Sequence, residues 1–313
     1  MRYQSRREFL TQTAMATGGL ALGQFAAMGQ GAPADKPLDM AICRWKGEPV
    51  AAEPTTEIGA KLTKQAIEAL GGMQRFVKKG DVVWVKPNIG WDRNQEQAAN
   101  TNPDVLKALI QMCFDAGAKT VKVGDNPCND ADKSYANSGL AAAAKEAGAE
   151  VIFLDRSRFR DAAIGGERLK DIPVYPEIIE SDLVINAPVA KHHGSTTVTL
   201  CMKNYMGVIE NRRKFHQDLP GCIRDITAYM KPRLSVLDAV RILTSNGPTG
   251  GDLKDVKRVN IVAAATDIVA LDAFGCEMLG YDPAKIGTVV AGYNAKLGEM
   301  DYKKLAYRDL EVG

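Results

Sequence analysis

The chain lacks the short motifs that most often announce a chemistry. None of its six cysteines forms a C-x-x-C pair, so zinc-ribbon and ferredoxin-type ligand spacings are missing. No G-x-G-x-x-G follows a strand pattern, which removes the nicotinamide fingerprint of dinucleotide-binding folds. No G-x-S-x-G is present, which removes the usual serine-hydrolase elbow. An excess of one charge is missing too: 40 basic and 38 acidic residues leave a formal net charge of +2. That balance gives no electrostatic case for nucleic acid or for an anionic membrane. Aromatic residues are only 6% of the chain, too sparse to suggest stacking on bases.

What is present is ordinary globular composition, with 45% hydrophobic and 25% charged residues over 313 positions. A chain of this length buries enough surface to need no disulfide or metal staple. The N-terminus differs in kind. Ser5-Arg6-Arg7-Glu8-Phe9-Leu10 precedes a Gly/Ala-rich apolar stretch from Ala14 to about Met28, and Ala32-Pro33-Ala34 follows. A basic start, a modest apolar core and a small-residue cleavage site describe a signal peptide. Paired arginines followed by Phe-Leu point to the twin-arginine route. Residues 1–34 are therefore expected to be an export signal, read by the twin-arginine translocase through Arg6 and Arg7, and residues 35–313 a single α/β domain outside the cytoplasm. The apolar core of the leader is too short and too weakly apolar to span a bilayer, and the rest of the chain has no apolar run near the required length of about 20 residues. The six cysteines are widely spaced, and Cys113 and Cys276 fall in apolar helical patterns, as small buried hydrophobes do. No structural disulfide is expected.

Past the leader, short β-branched runs alternate with capped helical patterns. Asp81 to Lys86 reads as a buried strand, and Asn102-Pro103-Asp104 opens a helix with proline in its first turn. Thr120 to Gly124 and Asp182 to Asn186 read as further strands, as do Leu234 to Asp238 and Val259 to Ala263. The connecting helices have the length a parallel crossover needs. The expected fold is α/β, a mostly parallel sheet with helices on both faces in a Rossmann-like three-layer arrangement.

In such sheets ligands bind beyond the carboxyl ends of the strands. Four expected ends are polar: Lys86-Pro87-Asn88, Gly124-Asp125-Asn126, Lys191-His192-His193-Gly194 and Asp238. The densest stretch runs from Lys191 to Gly207 and holds two of the three histidines in the chain. Thr197 to about Val208 reads as a helix capped by Ser195 or Thr196, with Lys203 one turn after Thr199. An anion at that helix start would be flanked by Lys191 and a histidine, a charge clamp beside a proton carrier. The loop Ser245 to Gly251 could hold an anion on its backbone N–H groups, though it lacks the Gly-Lys-Ser/Thr ending of a P-loop. The basic run Arg212-Arg213-Lys214 ahead of His216 could line a pocket for an acidic substrate.

These residues resemble the uncharacterised bacterial and archaeal "domain of unknown function" family numbered 362. The likeness rests on Lys86-Pro87-Asn88, on Thr101 to Asp104, and on Ala187-Pro188 with Lys191-His192-His193. It continues through Thr196, Thr199, Lys203-Asn204 and Gly207 to Asn246-Gly247-Pro248, Gly250, Asp267 and Asp272. In that family the step before the histidine is usually threonine, so His193 matches the family histidine and His192 replaces the threonine. Many relatives carry an added ferredoxin-like cysteine module; this chain has no iron–sulfur ligand motif, and its cofactor is left open. A looser likeness, over Asp182 to Gly207, is to the nickel-pincer lactate racemase family, where a histidine and a lysine serve the cofactor.

Together these features place Lys86, Asn88, Lys191, His193, Lys203 and Asn246 around one small anionic ligand, with Asn204 also in contact and Asp125 and Asp238 neutralising the lysines. His193 would act as general base, with Lys203 and Lys191 as its catalytic partners. Three functions remain open at this point. One is an exported enzyme on a small anionic substrate, another an anion-binding or redox-complex accessory protein, and the third a racemase-like isomerase. No metal ligand set is expected. Changing Arg6 and Arg7 together to Lys should leave the folded protein in the cytoplasm; normal periplasmic levels of the double variant, by cell fractionation, would refute the export signal.

Overall fold

In a computed structural model, the structure describes residues 37–47 and 56–313; the expected signal segment, with Arg6 and Arg7, lies outside the described residues. The described residues open with β1 (Met40–Trp45) and α1 (Thr56–Ala69). Strand β2 (Val82–Pro87) is the run Val-Val-Trp-Val with both faces buried, the pattern of a central parallel strand. Helix α2 (Pro103–Asp115) starts as its sequence demands: the Asn102 side chain accepts from the Asp104 N–H and Pro103 fills the first turn. Then come β3 (Thr120–Val123), α3 (Ala131–Asn137), α4 (Leu140–Glu146) and the short β4 (Glu150–Val151).

The second half adds β5 (Arg160–Ala163) and β6 (Asp171–Val174), a separate antiparallel hairpin, then α5 (Pro176–Glu180) and β7 (Leu183–Ala187). After them come β8 (Val189–His193), β9 (Thr197–Thr199), α6 (Cys201–Asn204), α7 (Leu219–Met230), β10 (Leu234–Leu243), β11 (Val256–Ala265), α8 (Ile268–Met278), α9 (Gly287–Asn294) and β12 (Tyr307–Val312). The main sheet runs β12-β1-β11-β10-β7-β2-β3-β4, with β8 also on β10 and β9 on β8. Pairings are parallel except where β11 lies antiparallel to β1 and β10 and where β9 returns along β8. Residues 37–313 form one compact unit. Its sheet has a core on each face. Ala41, Val83, Val85 and Ile185 pack with α1, α2 and α4 on one side. Ile42, Trp84 and Leu237 pack with α6 to α9 on the other. This is the expected three-layer α/β arrangement. No helix among the described residues is long and apolar enough to cross a membrane.

The structure corrects the sequence reading in two places that bear on the site. Residues Thr197 to Thr199 do not open a helix; they form β9, paired back on β8 with His193 opposite Thr197 and Lys191 opposite Thr199. The run Thr-Thr-Val-Thr is β-branched and suits a strand, and Gly194-Ser195 supplies the turn. The helix starts only at Cys201, and its N-terminus is already occupied. The Asp272 carboxylate, from α8, accepts the N–H groups of Cys201 at 2.6 Å and Met202 at 3.1 Å. No external anion is needed there, and Asp272 does what the expected ligand was to do. Strand β10 also runs on past Asp238, which is therefore mid-strand rather than a strand end. Replacing Asp272 with Ala should lower stability by about 2 kcal/mol, read as an earlier midpoint in urea with an unchanged slope; an unshifted midpoint would deny the cap its role.

Candidate anion site

Beyond the carboxyl ends of β2, β3, β8 and β10 lies a cleft of about 80 Å3. Its position is the one that open parallel sheets reserve for ligands. Of the residues expected there, Asn88, Asp125, Lys191, His193, Lys203 and Asn204 line it. Lys86 is fully buried directly behind it. Its Nζ donates to Asp125 Oδ1 at 2.7 Å, to the Pro87 carbonyl at 2.8 Å and to Asn204 Oδ1 at 3.2 Å. A neutral amine has only two N–H groups, so three acceptors hold Lys86 as the ammonium. Burial pushes its pKa down, and the ion pair with Asp125 works against that. The other Asp125 oxygen accepts the Ile89 N–H at 2.8 Å. The one carboxylate that lines the cleft is thus spent on Lys86 and the backbone.

Two expected residues stand elsewhere. Asp238 is buried in β10, where it accepts the Asn102 N–H at 2.7 Å and the Val240 N–H at 3.0 Å. It fixes the start of α2, and burial raises its carboxyl to about 7. Asn246 donates to Asp255 at 2.8 Å and shapes its own loop. That loop still reaches the site. The Gly247 N–H donates to His192 Nδ1 at 3.1 Å, the Gly194 N–H donates to the Gly247 carbonyl, and Pro248 lines the cleft. A Cβ on Gly247 would overlap the His192 carbonyl, so only glycine permits this contact.

Three basic groups facing the cleft differ in what holds them. Lys191 is buried, and its Nζ donates to Asn88 Oδ1 at 2.7 Å and to the Ala99 carbonyl. Two acceptors suit a neutral amine and leave its lone pair free. Burial, with Lys203 next in effect, lowers its pKa to about 7. Lys203 has no side-chain hydrogen bond or ion pair among the described residues, and burial lowers it to about 8. Burial, then Lys203 and Lys191, push His193 down to about 3, so the ring is neutral. Its Nδ1 accepts the Ser195 N–H at 3.0 Å. That places the ring proton on Nε2 and makes His193 a hydrogen-bond donor there rather than the general base expected from sequence.

Three further residues complete the site. Arg212 reaches it from the turn Arg212–Gln217, donating from Nε to the Met206 carbonyl at 3.1 Å and from a terminal nitrogen to the Cys128 sulfur at 2.9 Å. Of the basic run at 212–214 it alone lines the cleft. Thr199, only 4% exposed, lines the cleft, and its Oγ1 has no hydrogen-bond partner among the described residues. Cys128, in the loop that follows β3, also faces in; it is the one cysteine outside apolar patterning, the signal that could have found it. Among the described residues no group of three His, Cys, Asp or Glu side chains is placed to hold a metal ion.

The model of the domain of unknown function DUF362 matches residues 83–277, a span that holds every residue of the cleft. The chain belongs to the DUF362 family. A thylakoid-associated protein of Synechocystis sp. is 29% identical over 260 residues, 79% of each chain. The lactate racemase apoprotein from Thermoanaerobacterium thermosaccharolyticum, at 13% identity, superimposes with a TM-score of 0.47 over 82% of this chain and 59% of that one. In this DUF362 chain, stability should carry the mark of the buried amines. Above pH about 7 the unfolded chain still holds a proton that folded Lys191 has released, so stability rises with pH toward the ordinary lysine value of 10.5. Lys191→Met should flatten that rise by up to about 1.4 kcal/mol per pH unit, measured by urea unfolding at several pH values; an unchanged slope would show that Lys191 is charged throughout.

Proposed function

We propose that this chain is an extracytoplasmic enzyme that acts by proton transfer on a small anionic substrate, carboxylate- or phosphate-bearing. The observation that carries the reading is the set of donors around the cleft. Lys203 and Arg212 bring charge, His193 Nε2 and Thr199 Oγ1 bring neutral donors, and the only carboxylate is neutralised from behind by Lys86. Cations gathered without a counter-charge favour an anion between them. Lys203 and Arg212 hold the anionic group, and His193 donates to a second substrate oxygen. Lys191 takes or returns the proton, because its third position can be either N–H or lone pair. Between pH about 7 and about 8 Lys191 is neutral while Lys203 stays charged, so base and clamp coexist in that window. Export by the twin-arginine route, with residues 35–313 as the exported domain, is part of the same proposal and rests on the leader sequence.

A purely anion-binding protein would use the same clamp and would not need the amine poised near neutrality. A nucleotide-sized cofactor needs a pocket of about 300 Å3 or more, and the cleft encloses about 80 Å3. The arrangement therefore does not admit such a group whole, and the racemase-like reading with a bound nickel pincer is not supported by it.

Calorimetric titration with inorganic phosphate and with acetate tests the clamp. Binding should weaken as salt rises and as pH climbs past about 8, and Lys203→Met should weaken it roughly tenfold or more. Lys191→Met should keep binding at pH about 8, where that amine is already neutral. If neither anion binds, or if Lys203→Met binds like wild type, the proposal fails.

A further inference from the structure

Cys128 is the exposed cysteine of the six; the other five are buried. Burial pushes those thiols up, Cys43 and Cys113 each to about 12, so they are inert as well as hidden. Cys128 sits differently. Its thiol lines the cleft together with Lys191, Lys203 and Arg212, and the Arg212 guanidinium donates to its sulfur at 2.9 Å. Its backbone is fixed, with the Cys128 N–H on the Gly90 carbonyl at 2.8 Å. Reactive thiols occupy electropositive, accessible surroundings of this kind. Thr199, buried in the same cleft with an Oγ1 that has no hydrogen-bond partner among the described residues, independently calls for a ligand there.

We propose that Cys128 is a modification site that takes small anionic disulfides by thiol–disulfide exchange, and that the attached group fills the anion cleft. The choice of an anionic partner rests on the anion-holding reading above; the reactivity of the thiol does not. In the exchange, Cys128 loses its proton to solvent and its sulfur attacks one sulfur of R–S–S–R. The S–S bond of the reagent breaks, a new Sγ–S bond forms, and RS⁻ leaves with the electron pair. The disulfide is the only oxidant required. The carboxylate or other anionic group of R lies against Lys203 and Arg212, with Thr199 as a further donor. No second cysteine lines the cleft to resolve the adduct, so it persists until an external thiol removes it. Attachment thus closes the cleft to its ligand reversibly.

The test uses the folded chain and two aromatic disulfides, dithiobis(nitrobenzoate), which is a dianion, and dithiodipyridine, which is neutral. Each rate is divided by that reagent's rate with free N-acetylcysteine, which removes intrinsic reactivity. One thiol equivalent per chain should react in a fast phase that Cys128→Ser abolishes. The normalised rate should favour the dianion by roughly tenfold or more. Arg212→Gln should shrink that preference, and raised salt should erode it. Wild type carrying the nitrobenzoate adduct should lose phosphate binding and regain it after treatment with dithiothreitol. A fast phase that survives in Cys128→Ser, a normalised preference near one, or unimpaired phosphate binding by the adduct overturns the inference. Phosphate titration of the unmodified wild-type chain separates the two ideas. Binding there with no anionic preference at the thiol sinks the exchange site alone, whereas absent binding with a selective thiol sinks the proposed function alone.

Discussion

The buried ion pair between Lys86 and Asp125 is the contact on which the site depends. It joins the ends of β2 and β3 to α6 through Asn204, whose side-chain N–H donates to the Lys86 carbonyl at 3.1 Å and to Asn186 at 2.8 Å. Three chain segments far apart in sequence are held by one ammonium with all its protons used. The backbone must come close to allow it. A Cβ on Gly207 would overlap Asp125 Oδ1 and meet Lys86 Nζ at 2.6 Å, so the turn after α6 carries glycine. Taking away one partner of such a pair costs about 3–5 kcal/mol because the other charge is stranded. The pair also spends the negative charge at the rim of the cleft, and what remains facing into it is positive.

The three lysines of the region show how acceptor number sorts identical side chains into different roles. Lys86 has three acceptors and must be charged. Lys191 has two and can give up its proton. Lys203 has none among the described residues. Burial lowers the pKa of all three, so burial alone does not distinguish them. The distinction lies in where their protons point. The same reasoning inverts the division of labour that lysine and histidine suggest on paper. His193, with Nδ1 engaged by the Ser195 N–H, is a fixed donor, and in the proposed reaction a lysine would carry the proton instead. Neutral imidazole as a donor and a desolvated amine as a base are both ways to run acid–base chemistry near neutral pH.

The hairpin of β8 and β9 turns this electrostatic set into a site. It carries Lys191, His193 and Thr199 on one short ribbon, and the glycine loop after β10 is hydrogen-bonded to it through His192 and Gly194. Arg212 also lines the cleft, tied by hydrogen bonds to Met206, to Asn126 and to the Cys128 thiol. The cleft is consequently small and walled by donors. It suits a compact anion or the charged end of a somewhat larger molecule.

By itself, the sequence determined the layered α/β order, the family, and the gathering of Asn88, Lys191, His193 and Lys203 near one another. The order follows from local signals, β-branched runs and a capped proline start at α2, the gathering from polar residues near strand ends, and the family from its resemblance motifs such as Lys86-Pro87-Asn88 and Lys191-His192-His193. Only the tertiary structure decided the rest. Thr197 to Thr199 could not be told from a capped helix start, because threonines serve both, and the choice is made by pairing with β8. The ribbon ends at Thr199, whose hydroxyl, without a hydrogen-bond partner among the described residues, is buried only once the strand is in place. Asp238 read as a strand end because the length of β10 is set by its antiparallel partner β11, which no local pattern reveals. Asp272 lies far along the chain from the helix start that it caps. Whether each lysine is charged depends on acceptors contributed by Ala99, Asp125 and Asn204. Protonation at this site is fixed by long-range hydrogen-bond geometry, and a linear pattern of residue types does not contain it.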